Sequence, residues 1–246
     1  MIKVSNIAKI FEDKKRGKTV GVAGISFHAH SGEIFGLLGP NGAGKTTALR
    51  MLATILRPTS GGAVVAGHDL QEEPERVRRN VGFLSGDMGL YLRLTPRETL
   101  RYFGQLSGME DTSIRRRTSE LFDIFGIGEY GNSRVDKLST GMKQKVAIAR
   151  AVIHDPPVLI LDEPTSGLDV PAAHVVEEYI LSAKRAGKCV LLSTHAMEEA
   201  EFLCDRIAVI NEGKIGAHGT MDELRQRTGK QRLREVFVAL LNEEAA

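Results

Sequence analysis

The stretch EIFGLLGPNGAGKTTALRMLATI, Glu33 to Ile55, decides the fold. It opens with EIFGLLG, a short apolar run that fits a buried strand, and the segment from about Lys45 to Ile55 reads as a helix. Between them, Gly39 to Thr46 fits the pattern G-x-x-x-x-G-K-[ST], in the strand–loop–helix setting that the pattern requires. The glycines let backbone N–H groups curl round phosphate oxygens without a Cβ in the way. The helix N-terminus adds unsatisfied donors and partial positive charge. Lys45 is expected to neutralise the β- and γ-phosphates, and Thr46 to bind Mg²⁺ through its hydroxyl. The candidate nucleotide site is thus Gly39, Pro40, Asn41, Gly42, Ala43, Gly44, Lys45, Thr46 and Thr47.

A second apolar run, VLILDE from Val158 to Glu163, ends on two acids. Desolvating paired carboxylates is costly, so a buried strand does not end on them without a partner. Beside a triphosphate, Mg²⁺ is that partner. Asp162 is expected to support the metal through its water ligands. Glu163 points elsewhere and can accept a proton from an attacking water, a role that contributes about 10²–10⁴-fold in rate.

Outward from these two runs the chain alternates strands and helices. Val20, Val22, Ile25 and Phe27 read as a half-buried strand, Thr59–Gly62 as a turn and AVVAG as an edge strand; Arg76–Gly82 leads into the strand VGFLS. From Thr95 the period changes. Thr95-Pro96-Arg97-Glu98 is a capping box, after which Leu100, Phe103 and Leu106 share one helical face. Ile114, Leu121, Phe122 and Phe125 do the same for a second helix, and LSTGMKQKVAIARA places a Ser-Thr-Gly turn at the head of a third. Beyond Pro156-Pro157 the α/β rhythm returns: VLILD, a helix from Pro171 to Ala186, CVLLS, a helix from Met197 to Cys204, and IAVIN. NEGK and IGAHG form a hairpin, Thr220 to Glu223 caps a late helix, and Leu233, Val236, Phe237, Leu240 and Leu241 mark an amphipathic tail. The expectation is an α/β P-loop NTPase core with a mostly parallel sheet, an antiparallel β edge and a helical subdomain. One domain spans 1–246, with 1–87 and 156–228 as the core, 88–155 as the helical subdomain and 229–246 as a helical tail. Ligands of such sheets bind at the carboxyl ends of the strands.

Composition agrees. At 246 residues, one compound domain is expected rather than two. A formal charge of +2 gives no sign of nucleic-acid binding. Cys189 and Cys204 lack metal-like spacing and read as reduced thiols of a cytosolic protein. No apolar run approaches the roughly 18 residues of a membrane span, and the basic N-terminus lacks the apolar region of a secretory signal.

Taken in order, these motifs resemble those of the nucleotide-binding ATPase subunit of ATP-binding cassette (ABC) transporters. GPNGAGKTT is similar to the family's Walker A, VLILDE to its Walker B, LSTGM to its signature loop and SGLD, Ser166–Asp169, to its D-loop; His195 in STHAMEEAE stands in the place of the switch histidine. The resemblance implies the ABC ATPase fold, ATP and Mg²⁺ as cofactors, and ATP hydrolysis with Glu163, His195 and Lys45 as catalytic residues. His195 would contact the γ-phosphate or orient the water. It also implies a head-to-tail dimer with a second copy of the chain, in which Ser139 and Gly141 donate to the γ-phosphate held by the other protomer. Phe11 stands where the family has a tyrosine that stacks on adenine; a plain core aromatic is the other reading, and the remaining six histidines are read as surface residues.

The chain also departs from the family. The Q-loop glutamine is replaced by Gly86, so the metal either takes another water or is reached by Asp87, a candidate metal ligand, and the signature carries Thr140 and Met142 in place of glycine and glutamine. GFLSGDMGLYLRLTPRE and EVFVALL resemble ATPases of bacterial sodium-export and drug-export systems, which implies a separate integral membrane permease and a peripheral position on the cytoplasmic face. Two alternatives remain: a soluble ABC ATPase acting on ribosomes or DNA, and a regulatory nucleotide-binding module with little turnover.

Overall fold

A computed structural model describes residues 1–13, 17–86 and 89–245. Strands β1 (Ile2–Asp13) and β2 (Gly17–Ala29) pair antiparallel. β3 (Ile34–Leu38), buried at every residue, runs into the glycine loop and α1 (Lys45–Leu52). β4 (Ser60–Val65) and β5 (His68–Asp69) follow, then α2 (Pro74–Asn80) and β6 (Val81–Leu84). Three helices come next: α3 (Pro96–Leu106), α4 (Asp111–Phe125) and α5 (Thr140–Ala151). The chain then alternates β7 (Val158–Asp162), α6 (Val170–Arg185), β8 (Cys189–Thr194), α7 (Met197–Leu203) and β9 (Arg206–Asn211). It ends with β10 (Lys214–Thr220), α8 (Met221–Thr228) and α9 (Leu233–Ala245).

The main sheet has the order β10-β9-β3-β8-β7-β6, parallel except for the β9–β10 hairpin. That hairpin turns at Glu212-Gly213, both with positive φ, the geometry a two-residue turn needs to match strand twist. β3, β7 and β8 are buried throughout, as expected of parallel strands covered on both faces. A second sheet, β2-β1-β4-β5, is wholly antiparallel. The antiparallel part is therefore a full layer as well as an edge. One hydrophobic cluster joins this layer, α1 and one face of the main sheet. The other covers the opposite face and runs on into α3, α4 and α5.

Several expectations need correction. Ser60–Gly62 belong to β4, not to a turn, and β4 lies inside its sheet between β1 and β5. Sequence alternation cannot report the number of neighbours a strand will have. Val22, Ile25 and Phe27 are buried, but Val20 is 53% exposed, because it lies over the glycine-loop cleft rather than over the core. The change of parity between Val22 and Ile25 comes from the irregular pairing of β1 with β2 around Gly24, which has φ 95°. On α3 the capping box is present and Leu100 is buried, yet Leu106 is 70% exposed. A Cβ at Gly104 would come within 2.7 Å of Ile114, so the two helices cross there and Leu106 falls beyond the crossing.

Candidate functional site

β3 delivers the glycine loop to the carboxyl edge of the main sheet, between β8 and β9. Gly44 has φ 103°, and a side chain there would run into the Gly21 carbonyl oxygen of β2. The loop is thus wedged between the two sheets. No side chain caps α1 and no acid occupies its first turn, so its first N–H groups face the cleft as anion donors.

Lys45 is 5% exposed. Its Nζ donates to the carbonyls of Gly39 (2.8 Å) and Pro40 (3.1 Å) and stands 3.7 Å from Glu163 Oε1. Burial pushes its pKa below the usual lysine value, while the charges of Glu163 and Asp162 pull it back up. The ammonium is held by two neutral carbonyls and the Glu163 carboxylate, and a phosphate can displace the carbonyls.

Asp162, 3% exposed, closes β7. Thr46 Oγ1 donates to its Oδ1 at 3.1 Å and Ser193 Oγ at 2.6 Å. A hydroxyl beside a buried carboxylate at the foot of a phosphate loop is a set of hard oxygen donors, which suits Mg²⁺. Glu163 has φ 49°, a left-handed conformation uncommon outside glycine. That turn swings its carboxylate away from Asp162, to 3.0 Å from His195 Nδ1. A carboxylate only accepts, so Nδ1–H is the donor in this contact and Nε2 is left on the far side of the ring.

The loop from Asn41 to Thr47 lines a cleft of ≈ 260 Å³ together with Phe11, Val20, Gly21 and Glu163. Phe11 is 39% exposed and packs over Gly21, so it walls the cleft and does not belong to the core. Ser139 and Gly141 lie elsewhere. Ser139 is the N-cap of α5, its Oγ accepting the Met142 N–H at 3.2 Å, and a Cβ at Gly141 would sit 3.6 Å from Leu168. Neither lines the cleft of its own chain. Gly86 faces Asp162: a Cβ there would be 3.7 Å from Oδ2. Asp87 lies outside the described residues. His154, read as a surface residue, is half-buried; burial lowers its pKa, and no partner among the described residues reaches its Nε2.

Sequence reasoning missed three residues of this region. Ser193 binds Asp162, Gln144 donates from α5 to the Pro164 carbonyl (2.8 Å), and Thr165 donates to the buried Glu199 (2.6 Å). No spacing links these pairs; strand register and helix packing bring them together.

The chain is similar to known proteins over most of its length. The family model described as ABC transporter matches residues 22–166, more than half of the chain. The chain is 41% identical over 242 residues to the ABC transporter ATP-binding protein NatA of Bacillus subtilis, covering 98% of each chain. It is 43% identical over 211 residues to the Nod factor export ATP-binding protein I of Paraburkholderia xenovorans, covering 86% of this chain and 69% of that one. The linearmycin resistance ATP-binding protein LnrL of Bacillus subtilis is 35% identical over 99% of this chain and 76% of its own. Among solved structures, an ATP-binding subunit of an ABC transporter superposes with TM-score 0.88 at 31% identity, over 98% of this chain and 99% of that one. A dimeric ATP-binding cassette in a post-hydrolysis state with ADP and Pi superposes with TM-score 0.83 at 25% identity, over 89% and 98%.

Proposed function

The chain belongs to the ABC transporter family as an ATP-binding subunit, and from that premise we propose that it hydrolyses ATP in a two-copy sandwich to drive an export permease. The observation that carries this is that Lys45, Thr46 and Glu163 line one cleft, with Asp162 bonded to Thr46 and His195 to Glu163 just behind it. Lys45 exchanges the Gly39 and Pro40 carbonyls for β- and γ-phosphate oxygens, and the α1 N-terminus donates to the same phosphates. Thr46 and Asp162 are the residues to hold Mg²⁺, which when bound neutralises developing charge on the phosphates. Glu163 takes the proton of the attacking water and His195 orients that water. Phe11 offers its ring face to the adenine. Asp87 substitutes in part for the missing Q-loop side chain at Gly86.

Ser139 and Gly141 complete the site of the second copy. Hydrogen bonds to a charged group contribute about 1.5–3 kcal/mol each. Two per site over two sites give roughly 6–12 kcal/mol, and about 5.5 kcal/mol suffices to swing a two-state equilibrium from 1:99 to 99:1. These contacts exist only in the closed dimer, so ATP closes it and loss of the γ-phosphate reopens it. Relatives named for drug resistance and Nod factor export support an exporter, with drug or sodium ion as cargo chosen by the permease. No helix among the described residues is long and apolar enough to cross a membrane. Family membership supports work on a separate integral membrane permease from the cytoplasmic face. The division into a core (1–87, 156–228), a helical subdomain (88–155) and a tail (229–246) belongs to the same reading.

Glu163→Gln tests it. We expect ATP binding to persist, hydrolysis to fall by about 10²–10⁴-fold, and a dimer to accumulate with ATP on size-exclusion chromatography. Normal turnover removes Glu163 as the base.

A further inference from the structure

We propose that Ser193 is a positioning residue for ATP cleavage, setting both acids of the site through a single hydroxyl. This rests on the roles given above to Asp162 and Glu163. Strand pairing creates the arrangement: β7 and β8 run parallel with Asp162 beside Ser193, which is fully buried. Ser193 Oγ donates to Asp162 Oδ1 at 2.6 Å and lies 3.2 Å from the Glu163 nitrogen, whose N–H also reaches the Ser193 carbonyl at 3.1 Å. A hydroxyl has one proton and two lone pairs, so one oxygen serves as donor to the carboxylate and acceptor for the amide together.

Each contact has a consequence for geometry. Oδ1 of Asp162 receives two hydroxyls, Ser193 and Thr46, which fixes the rotation of the carboxylate and leaves Oδ2 on the side of Gly86. Glu163 keeps its left-handed backbone only while its surroundings hold it there. The shared N–H on Ser193 supplies that hold, and the backbone aims the carboxylate at His195 and Lys45. Alanine at 193 leaves the carbonyl contact but frees the carboxylate of Asp162 and loosens the turn beneath the base.

The test compares Ser193→Ala, Ser193→Cys and Ser193→Thr with wild type and Glu163→Gln. Steady-state ATP turnover is measured, together with the Mg²⁺ concentration that half-saturates binding of mant-ATP. Ala and Cys should lower kcat about 10- to 100-fold, the effect of a displacement of about 1 Å at a reacting group. KM should change less than about threefold, since the loss falls on the reacting geometry. The Mg²⁺ half-point should rise about tenfold in both, while metal-free mant-ATP affinity stays put. Threonine keeps the hydroxyl and should restore rate and half-point. Cysteine is nearly isosteric with serine but a weak donor, so it decides the matter if the alanine protein does not fold.

Wild-type rate and half-point in Ala and Cys, with Glu163→Gln inactive, overturn the role of Ser193 alone. A slow Ala protein that Thr does not rescue overturns it as well. Full turnover in Glu163→Gln instead removes the reading of Glu163 on which this inference rests.

Discussion

Two helix N-termini in this chain carry no acid in the first turn, and they are enclosed to different degrees. That of α1 is enclosed: Gly44 is wedged under β2, Lys45 is nearly buried, and Asp162 and Glu163 already stand beside it. That of α5 is open: Ser139 and Thr140 are exposed, no acid lies in the first turn, and Ser139 caps only its own helix. Its hydroxyl proton remains to be given while the oxygen accepts from Met142. The first helix start lines a cleft of its own chain, and the second takes no part in that cleft. On the proposed function, a protomer holds ATP alone and needs a second copy to register the γ-phosphate.

The sharpest way to break that contrast is Ser139→Glu. A carboxylate at the open helix start should leave ATP affinity of the isolated protomer within about twofold, since the α1 pocket is untouched. It should destroy closure, because one lost phosphate contact in each of two sites amounts to about 3–6 kcal/mol, or roughly 10²–10⁴ in the dimer equilibrium. Sedimentation with ATP in a Glu163→Gln background reads this directly; a dimer of unchanged stability would mean that α5 does not face the phosphate. A smaller effect on the enclosed side sharpens the contrast. Phe11→Ala should weaken mant-ATP binding about 3- to 10-fold, as loss of a ring contact worth about 0.5–1.5 kcal/mol does, and Phe11→Tyr should not.

The smallest effect lies at neither helix start. His154 follows the far end of α5, and burial depresses its pKa from 6.5. The unfolded chain then binds the proton more readily than the folded one, so stability is present above the unfolded pKa and is lost as pH falls through it toward the folded value. Melting temperature should decline below about pH 6.5, and His154→Asn should flatten that decline while leaving ATP binding at neutral pH unchanged. Thermal melts from pH 5 to 8 check this; an equal slope in both proteins would remove His154 as its source.

Much of the fold was legible because its elements carry local signals. The apolar runs of β3, β7 and β8, the capping box at Thr95 and the turn at Glu212-Gly213 each declare themselves within a few residues. The misread residues depend on distant neighbours. Leu106 has helical spacing but lies past the crossing at Gly104, Val20 has strand parity but hangs over the cleft, and His154 has no local mark of burial. In the site, Lys45, Thr46, Asp162 and Glu163 were readable because phosphate and metal chemistry dictates residue types at fixed spacing. Ser193 was not, since a small polar residue at a strand end carries no mark of its partner.

The amino-acid sequence by itself determined the glycine loop, the paired acids, the alternation of strand and helix, and the presence of two helix starts without acids. Those properties follow from backbone freedom at glycine, from charge and from periodicity, which act over a few residues. Only the tertiary structure decided which helix start is enclosed and which is open, that β7 and β8 share a register placing Ser193 on Asp162, and that Glu163 turns left-handed toward His195. Register and enclosure are set by packing between segments far apart in the chain, and no single segment carries that information.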